Sequence, residues 1–109
     1  NQLLELSSDP LCTVGSHGCR HVMFRYLQEQ EVAEELKNSK NYLENLTGKK
    51  VDCFAFPYGR IVECSPRNIR QLSHSDYLFG FSAIKGNLKV QRFCSKFFLP
   101  RINVEEKMI

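Results

Sequence analysis

The sequence predicts an α/β fold with parallel strands, either an open sheet or one piece of a (β/α) barrel. Three observations carry this expectation. Strand-like and helix-like segments alternate along the chain, and such alternation means right-handed βαβ units. Val51 to Phe56 is apolar almost throughout, as a strand covered on both faces should be. The chain has 109 residues, whereas a closed eight-stranded barrel usually needs about 200 or more.

Each element has a local reason. Residues 1–10 are a polar lead-in ending in Ser8-Asp9-Pro10, where Asp9 reads as a turn residue and Leu3, Leu4 and Leu6 as the end of a helix packed on the core. Leu11 to Ser16 reads as a short buried strand. Residues 17–27 form a loop with two histidines, backed by the apolar cluster Met23, Phe24, Tyr26 and Leu27. Residues 29–46 form the clearest helix, because Val32, Leu36, Ser39, Leu43 and Leu46 fall on one face. Glu29, Glu31, Glu34 and Glu35 lie early, Lys37 and Lys40 follow, and Lys49-Lys50 comes just past the end, an order that suits the helix dipole. Gly48 stands where a helix stop belongs. Val51 to Phe56 is the second strand, ended by Pro57-Tyr58-Gly59. Ser65 followed by Pro66 starts another helix over 66–75, with Ile69 and Leu72 facing inward. Tyr77 to Ala83 is the third strand, Lys85-Gly86-Asn87 a turn, and 88–94 and 96–99 are strand-like before Leu99-Pro100-Arg101. The length allows one domain over 1–109.

Composition removes several function classes. An apolar share of 42% indicates a folded chain rather than a disordered one. No apolar run approaches the roughly 20 residues of a membrane-spanning helix. The net charge of +3 is mild and its basic residues are scattered, which argues against a nucleic-acid partner. The five cysteines, Cys12, Cys19, Cys53, Cys64 and Cys94, make a poor disulfide framework and lean toward a reducing, cytoplasmic compartment.

The chemistry concentrates in Val14-Gly15-Ser16-His17-Gly18-Cys19-Arg20-His21, which sets two imidazoles four residues apart after a short apolar run. Neutral imidazole is the commonest protein metal ligand. Active sites of parallel α/β folds gather at the C-terminal ends of strands. Together with the Pro57-Tyr58-Gly59 turn, these residues describe a metal-assisted hydrolytic site. The spacing alone also fits two polar loop histidines. Another reading joins Cys12, His17, Cys19 and His21 in a structural zinc site, although the cysteine interval is wrong for the usual knuckle.

With both strings in hand, the chain resembles the polysaccharide deacetylases of carbohydrate esterase family 4. The likeness runs from about Val14 to Val104. It rests on Gly15-Ser16-His17 with His21, on the helix ending Leu46-Thr47-Gly48, and on Phe54-Ala55-Phe56-Pro57-Tyr58-Gly59. Phe79-Gly80-Phe81-Ser82-Ala83 and Leu99-Pro100-Arg101-Ile102-Asn103-Val104 complete it. The resemblance implies a partial or distorted (β/α) barrel that removes acetyl groups from N-acetylated oligo- or polysaccharides. It implies zinc or another divalent metal, with His17 and His21 as two of three expected ligands. The Tyr58 backbone N–H would hold the oxyanion, and Pro57, Tyr58 and Gly59 would line the substrate.

The chain also departs from the family pattern. The family's aspartate pair, one a base and one the third ligand, has no counterpart before His17. The resemblance therefore places that first strand upstream of Asn1. An arginine frequent two residues before the proline is Ala55 here. Leu72-Ser73-His74 matches the letters of a late motif that carries the general acid, but it falls too early, and His74 reads as a surface helix histidine. There is no tryptophan for the family's aromatic wall. Whether this chain is itself an enzyme is left open. One reading is the C-terminal part of a metal-dependent deacetylase. The other is a non-catalytic module that binds carbohydrate or a partner, since the exposed edges of an unfinished barrel favour association with another chain. The resemblance points to the cell envelope or secretion.

Overall fold

The structure is a computed structural model that describes residues 1–86, 95–102 and 104. The order is α1 (Gln2–Ser8), a 3-10 turn (Phe24–Tyr26), α2 (Glu29–Thr47), β1 (Cys53–Ala55), α3 (Pro66–Ser73), β2 (Phe79–Lys85) and β3 (Leu99–Arg101). The three strands pair in the order β1-β2-β3, all parallel. Ser16 adds a single parallel bridge to Phe54 on the other side of β1. Among the described residues the sheet does not close, and the α/β expectation with parallel strands holds.

Helix α2 follows from local chemistry. The Gln28 N–H donates to the Glu31 carboxylate at 3.0 Å and closes the first turn. Gly48, with φ 70°, ends the helix in the left-handed conformation. Val32, Leu36 and Ser39 are buried, and Leu43 and Leu46 are half-buried, as the periodicity requires. In α3, the Ser65 hydroxyl accepts from Asn68 N–H, and Leu72 is buried.

The core lies between the helices and one face of the sheet. Phe54 and Phe56, two residues apart, point to the same side, and their rings meet edge-on at 5.3 Å. Phe24 lies 5.7 Å from each of them, and Tyr77 lies 5.4 Å from Phe54. Helix α3 sits close on β2, because a Cβ at Gly80 would come within 2.3 Å of Leu72 Cδ2. The opposite face carries Cys53, Ala55 and Phe81, all half-buried. Those residues line a shallow depression with Gly15, His17 and Arg101. The expectation that Val51 to Phe56 is covered on both faces is therefore corrected: among the described residues, helices cover one face only.

Other local expectations shift for identifiable reasons. The strand expected over Leu11–Ser16 reduces to Ser16, and Leu11 is 97% exposed. The chain is still turning there, since Leu11 N–H donates to the Asp9 carboxylate at 2.8 Å and Cys12 N–H to the Asp9 carbonyl at 3.0 Å. This bears out Asp9 as a turn residue. The N-terminal helix forms, but Leu4 and Leu6 are exposed, and its one buried residue is Ser7. Tyr26 is exposed, while Phe24 and Leu27 join the core. The third strand starts two residues later than expected, at Phe79, because Tyr77 turns inward to the core. Lys96 and Phe97 form a turn rather than a strand, and pairing begins at Leu99. The expected strand over 88–94, Asn87 of the expected turn, Asn103 and Cys94 lie outside the described residues.

Candidate functional site

The bridge at Ser16 sets the site. Its N–H donates to the Cys53 carbonyl at 2.8 Å, and its carbonyl accepts from Ala55 N–H at 2.9 Å. His17 therefore leaves at the C-terminal end of this pairing. Its Nδ1 lies 2.8 Å from the Ala55 carbonyl oxygen. A carbonyl can only accept, so Nδ1 carries a proton, and in the neutral imidazole the lone pair is then on Nε2. Metal-ligating histidines commonly hold their second nitrogen this way. Gly18 and His21 both take positive φ, 82° and 53°, and the loop curls back on itself. The two imidazole rings then lie 4.9 Å apart.

The Pro57-Tyr58-Gly59 turn arrives from the end of β1. Phe56 N–H donates to the Phe81 carbonyl at 3.1 Å, and the Gly59 carbonyl accepts from Ala83 N–H at 2.8 Å. These two bonds fasten the turn to β2. Tyr58 has φ 66°, a left-handed conformation that costs an L-residue energy and clusters at functional sites. The Tyr58 ring lies 4.8 Å from the His21 ring and is 46% exposed. Its N–H has no acceptor among the described residues. Pro57 and Gly59 are buried beneath it. The fold thus brings together His17, His21 and Tyr58 at the C-terminal ends of the strands.

It does not bring the other candidates there. His74 caps the C-terminal end of α3, exposed, ahead of β2, and so lies at the opposite end of the sheet. Among the described residues, no three histidine, cysteine or carboxylate side chains converge to hold a metal ion. The reading that joins Cys12 and Cys19 to the histidines is therefore corrected: Cys12 stays back near the Asp9 turn. The two imidazole rings stand together without a third such side chain among the described residues.

Three supporting side chains escaped the sequence reading. Glu35, 4% exposed, accepts from Cys19 N–H at 3.2 Å and from Arg20 Nε at 3.1 Å. Glu63 is fully buried and bonds Arg60 Nε at 2.6 Å, and the Arg60 guanidinium lies 5.8 Å from the centre of the Tyr58 ring. Each is a charged residue in a segment of ordinary polarity, so no local pattern marked it. The neighbouring Cys64 thiol is pushed up to about 12 by burial, with the Glu63 charge adding to it.

Comparison with known proteins agrees with this fold. A family model described as polysaccharide deacetylase matches residues 1–75. The Streptococcus pyogenes deacetylase PplD in complex with acetate superposes with a TM-score of 0.70 at 20% identity, over 83% of this chain and 38% of that one. A polysaccharide deacetylase from Bacillus cereus superposes at 0.75 and 22% identity, over 92% of this chain and 30% of that one. At these identities the likeness is one of fold. This chain therefore spans little more than a third of the length of one neighbour and less than a third of the other. No curated protein sequence matches it. No helix among the described residues is long and apolar enough to cross a membrane. By the family match over most of its length, and by a parallel half-sheet with the same architecture, this chain belongs to the polysaccharide deacetylase family.

Proposed function

We propose that this chain carries part of the site of a metal-dependent hydrolase that removes acetyl groups from N-acetylated sugars or polysaccharides. His17 and His21 hold zinc or another divalent cation, with Nε2 of His17 as one donor. The Tyr58 N–H stabilises the oxyanion, and Pro57, Tyr58 and Gly59 form the wall against the acetyl group. Bound there, a divalent cation would polarise the acetyl carbonyl and acidify water. A backbone donor aimed at developing charge contributes roughly 3–4 kcal/mol to a transition state. The observation that supports this most is the imidazole pair at 4.9 Å, with Nδ1 of His17 held by Ala55.

The test is a zinc titration of the chelator-stripped chain beside His17→Ala and Cys19→Ala. One-to-one binding that disappears in His17→Ala and survives in Cys19→Ala is the expected result. Equal binding in His17→Ala overturns the reading.

A second reading, a non-catalytic module that binds carbohydrate or a partner chain, is favoured by the lack of a third ligating side chain among the described residues. The nearby carboxylate, Glu35, is already committed to the loop. Deacetylation of acetylated chito-oligomers by the 109-residue chain decides against this reading. Metal-independent oligomer binding without turnover decides for it.

A further inference from the structure

The loop that carries both histidines is held from one helix at two points. At its entry, the Ser16 hydroxyl donates to Ser39 Oγ at 2.8 Å and accepts from Gly18 N–H at 3.3 Å. Ser39 in turn donates to the Glu35 carbonyl at 2.7 Å. At its exit stands the Glu35 carboxylate, with Oε1 accepting from Cys19 N–H at 3.2 Å and Arg20 N–H at 3.4 Å. Oε2 accepts from Arg20 Nε at 3.1 Å. Ser39 and Glu35 are one helical turn apart on α2, a 19-residue helix.

A buried carboxylate is costly unless its oxygens are bonded. Among the described residues, every partner of this one lies in the loop, on the two residues before His21. Two adjacent N–H groups aimed at one oxygen fix the backbone direction, and Arg20 closes the other side. We infer that Glu35 is the positioning residue of the histidine pair: it holds the Cys19–Arg20 backbone so that the His21 ring stays against His17. This rests on the proposed metal site for its functional meaning, but its geometry stands in the metal-free chain.

The test uses the metal-free 109-residue chain. NMR reads the ring-to-ring contact between His17 and His21 and the amide exchange of Cys19 and Arg20. Glu35→Ala should lose the ring contact and its amide protection. Glu35→Gln keeps the side-chain volume and one acceptor oxygen, so it guards against a folding failure. Its Cys19 and Arg20 amides should exchange about tenfold faster, the loss of one charge-assisted bond. The control is Glu34→Ala, which breaks an exposed 3.2 Å bond from Gln30 elsewhere on α2 and should leave both readouts unchanged. Parent-like exchange in Glu35→Gln with the ring contact intact overturns the inference.

Zinc titration of the same proteins is a separate readout, with Glu35→Ala expected to bind about 10- to 100-fold more weakly. Unchanged zinc affinity in Glu35→Ala also overturns the inference. A parent chain that binds no zinc defeats the metal reading, while the exchange and ring-contact data still decide the role of Glu35.

Discussion

Replacing Gly59 with alanine should strike the turn that carries Tyr58. Gly59 has φ 61°, where an L-residue costs about 1–2 kcal/mol. An added Cβ would lie 2.4 Å from Ala83 N and 2.8 Å from Ala83 Cβ. Carbon atoms in contact prefer about 3.5–4.0 Å, so the turn and β2 would have to part. The bond from Ala83 N–H to the Gly59 carbonyl, 2.8 Å, then stretches or breaks. Overpacking of this kind costs about 1–3 kcal/mol, for a total of about 2–5 kcal/mol. Gly48 is the natural control, with φ 70° and nothing within 4 Å of its added Cβ. Gly48→Ala should cost only the strain of about 1–2 kcal/mol. Urea unfolding of both variants against the parent gives the comparison. Because Gly59 follows Tyr58, its variant should also loosen the contact between the Tyr58 and His21 rings, 4.8 Å in the parent. Equal destabilisation by the two substitutions would refute the claim that close approach to β2, rather than φ alone, demands glycine here.

Two further outcomes are expected. Cys64 is 4% exposed with its thiol pushed up to about 12, so iodoacetamide at pH 8 should leave it untouched in the folded chain while Cys19, raised by burial and then by Glu35 but exposed, is modified. Labelling of Cys64 at the rate of Cys19 in native conditions would contradict this. Glu44 has its carboxyl held below the ordinary value by the Val51 N–H bond and then by Lys40. Its stabilisation is therefore present above the unfolded value of about 4.3 and is lost as pH falls through the lower folded value. Thermal melts between pH 7 and pH 3 should be less acid-sensitive in Glu44→Gln; identical pH dependence in both proteins would count against the assignment.

Much of the fold was legible because its causes are local. The apolar face of α2, its stop at Gly48, and the Ser65-Pro66 start of α3 each follow from residues within a turn of one another. The His17 and His21 spacing and the Pro57-Tyr58-Gly59 turn were legible as chemistry. Their meeting was expected, but not how it is made: it depends on positive φ at His21 and Tyr58, a conformation neither side chain announces. The short strand before His17 was misread for a related reason. An apolar run becomes a strand only where a partner accepts its backbone bonds, and of Leu11–Ser16 Ser16 alone bridges to β1.

The sequence alone determined the alternation of parallel strands and helices, the ends of the two longer helices, and the types of side chain available to a hydrolytic site. Tertiary structure decided which charges went inside. Nothing local marks Lys40, yet it is buried over the Tyr77 ring, bonded to the Val51 carbonyl and paired with Glu44. Glu35 reads as an early-helix anion, yet it is buried against the histidine loop. In both cases the reason is the same. A charge leaves water only when partners supply its bonds, and here Cys19, Arg20, Val51 and Tyr77 reach α2 only once the chain has folded.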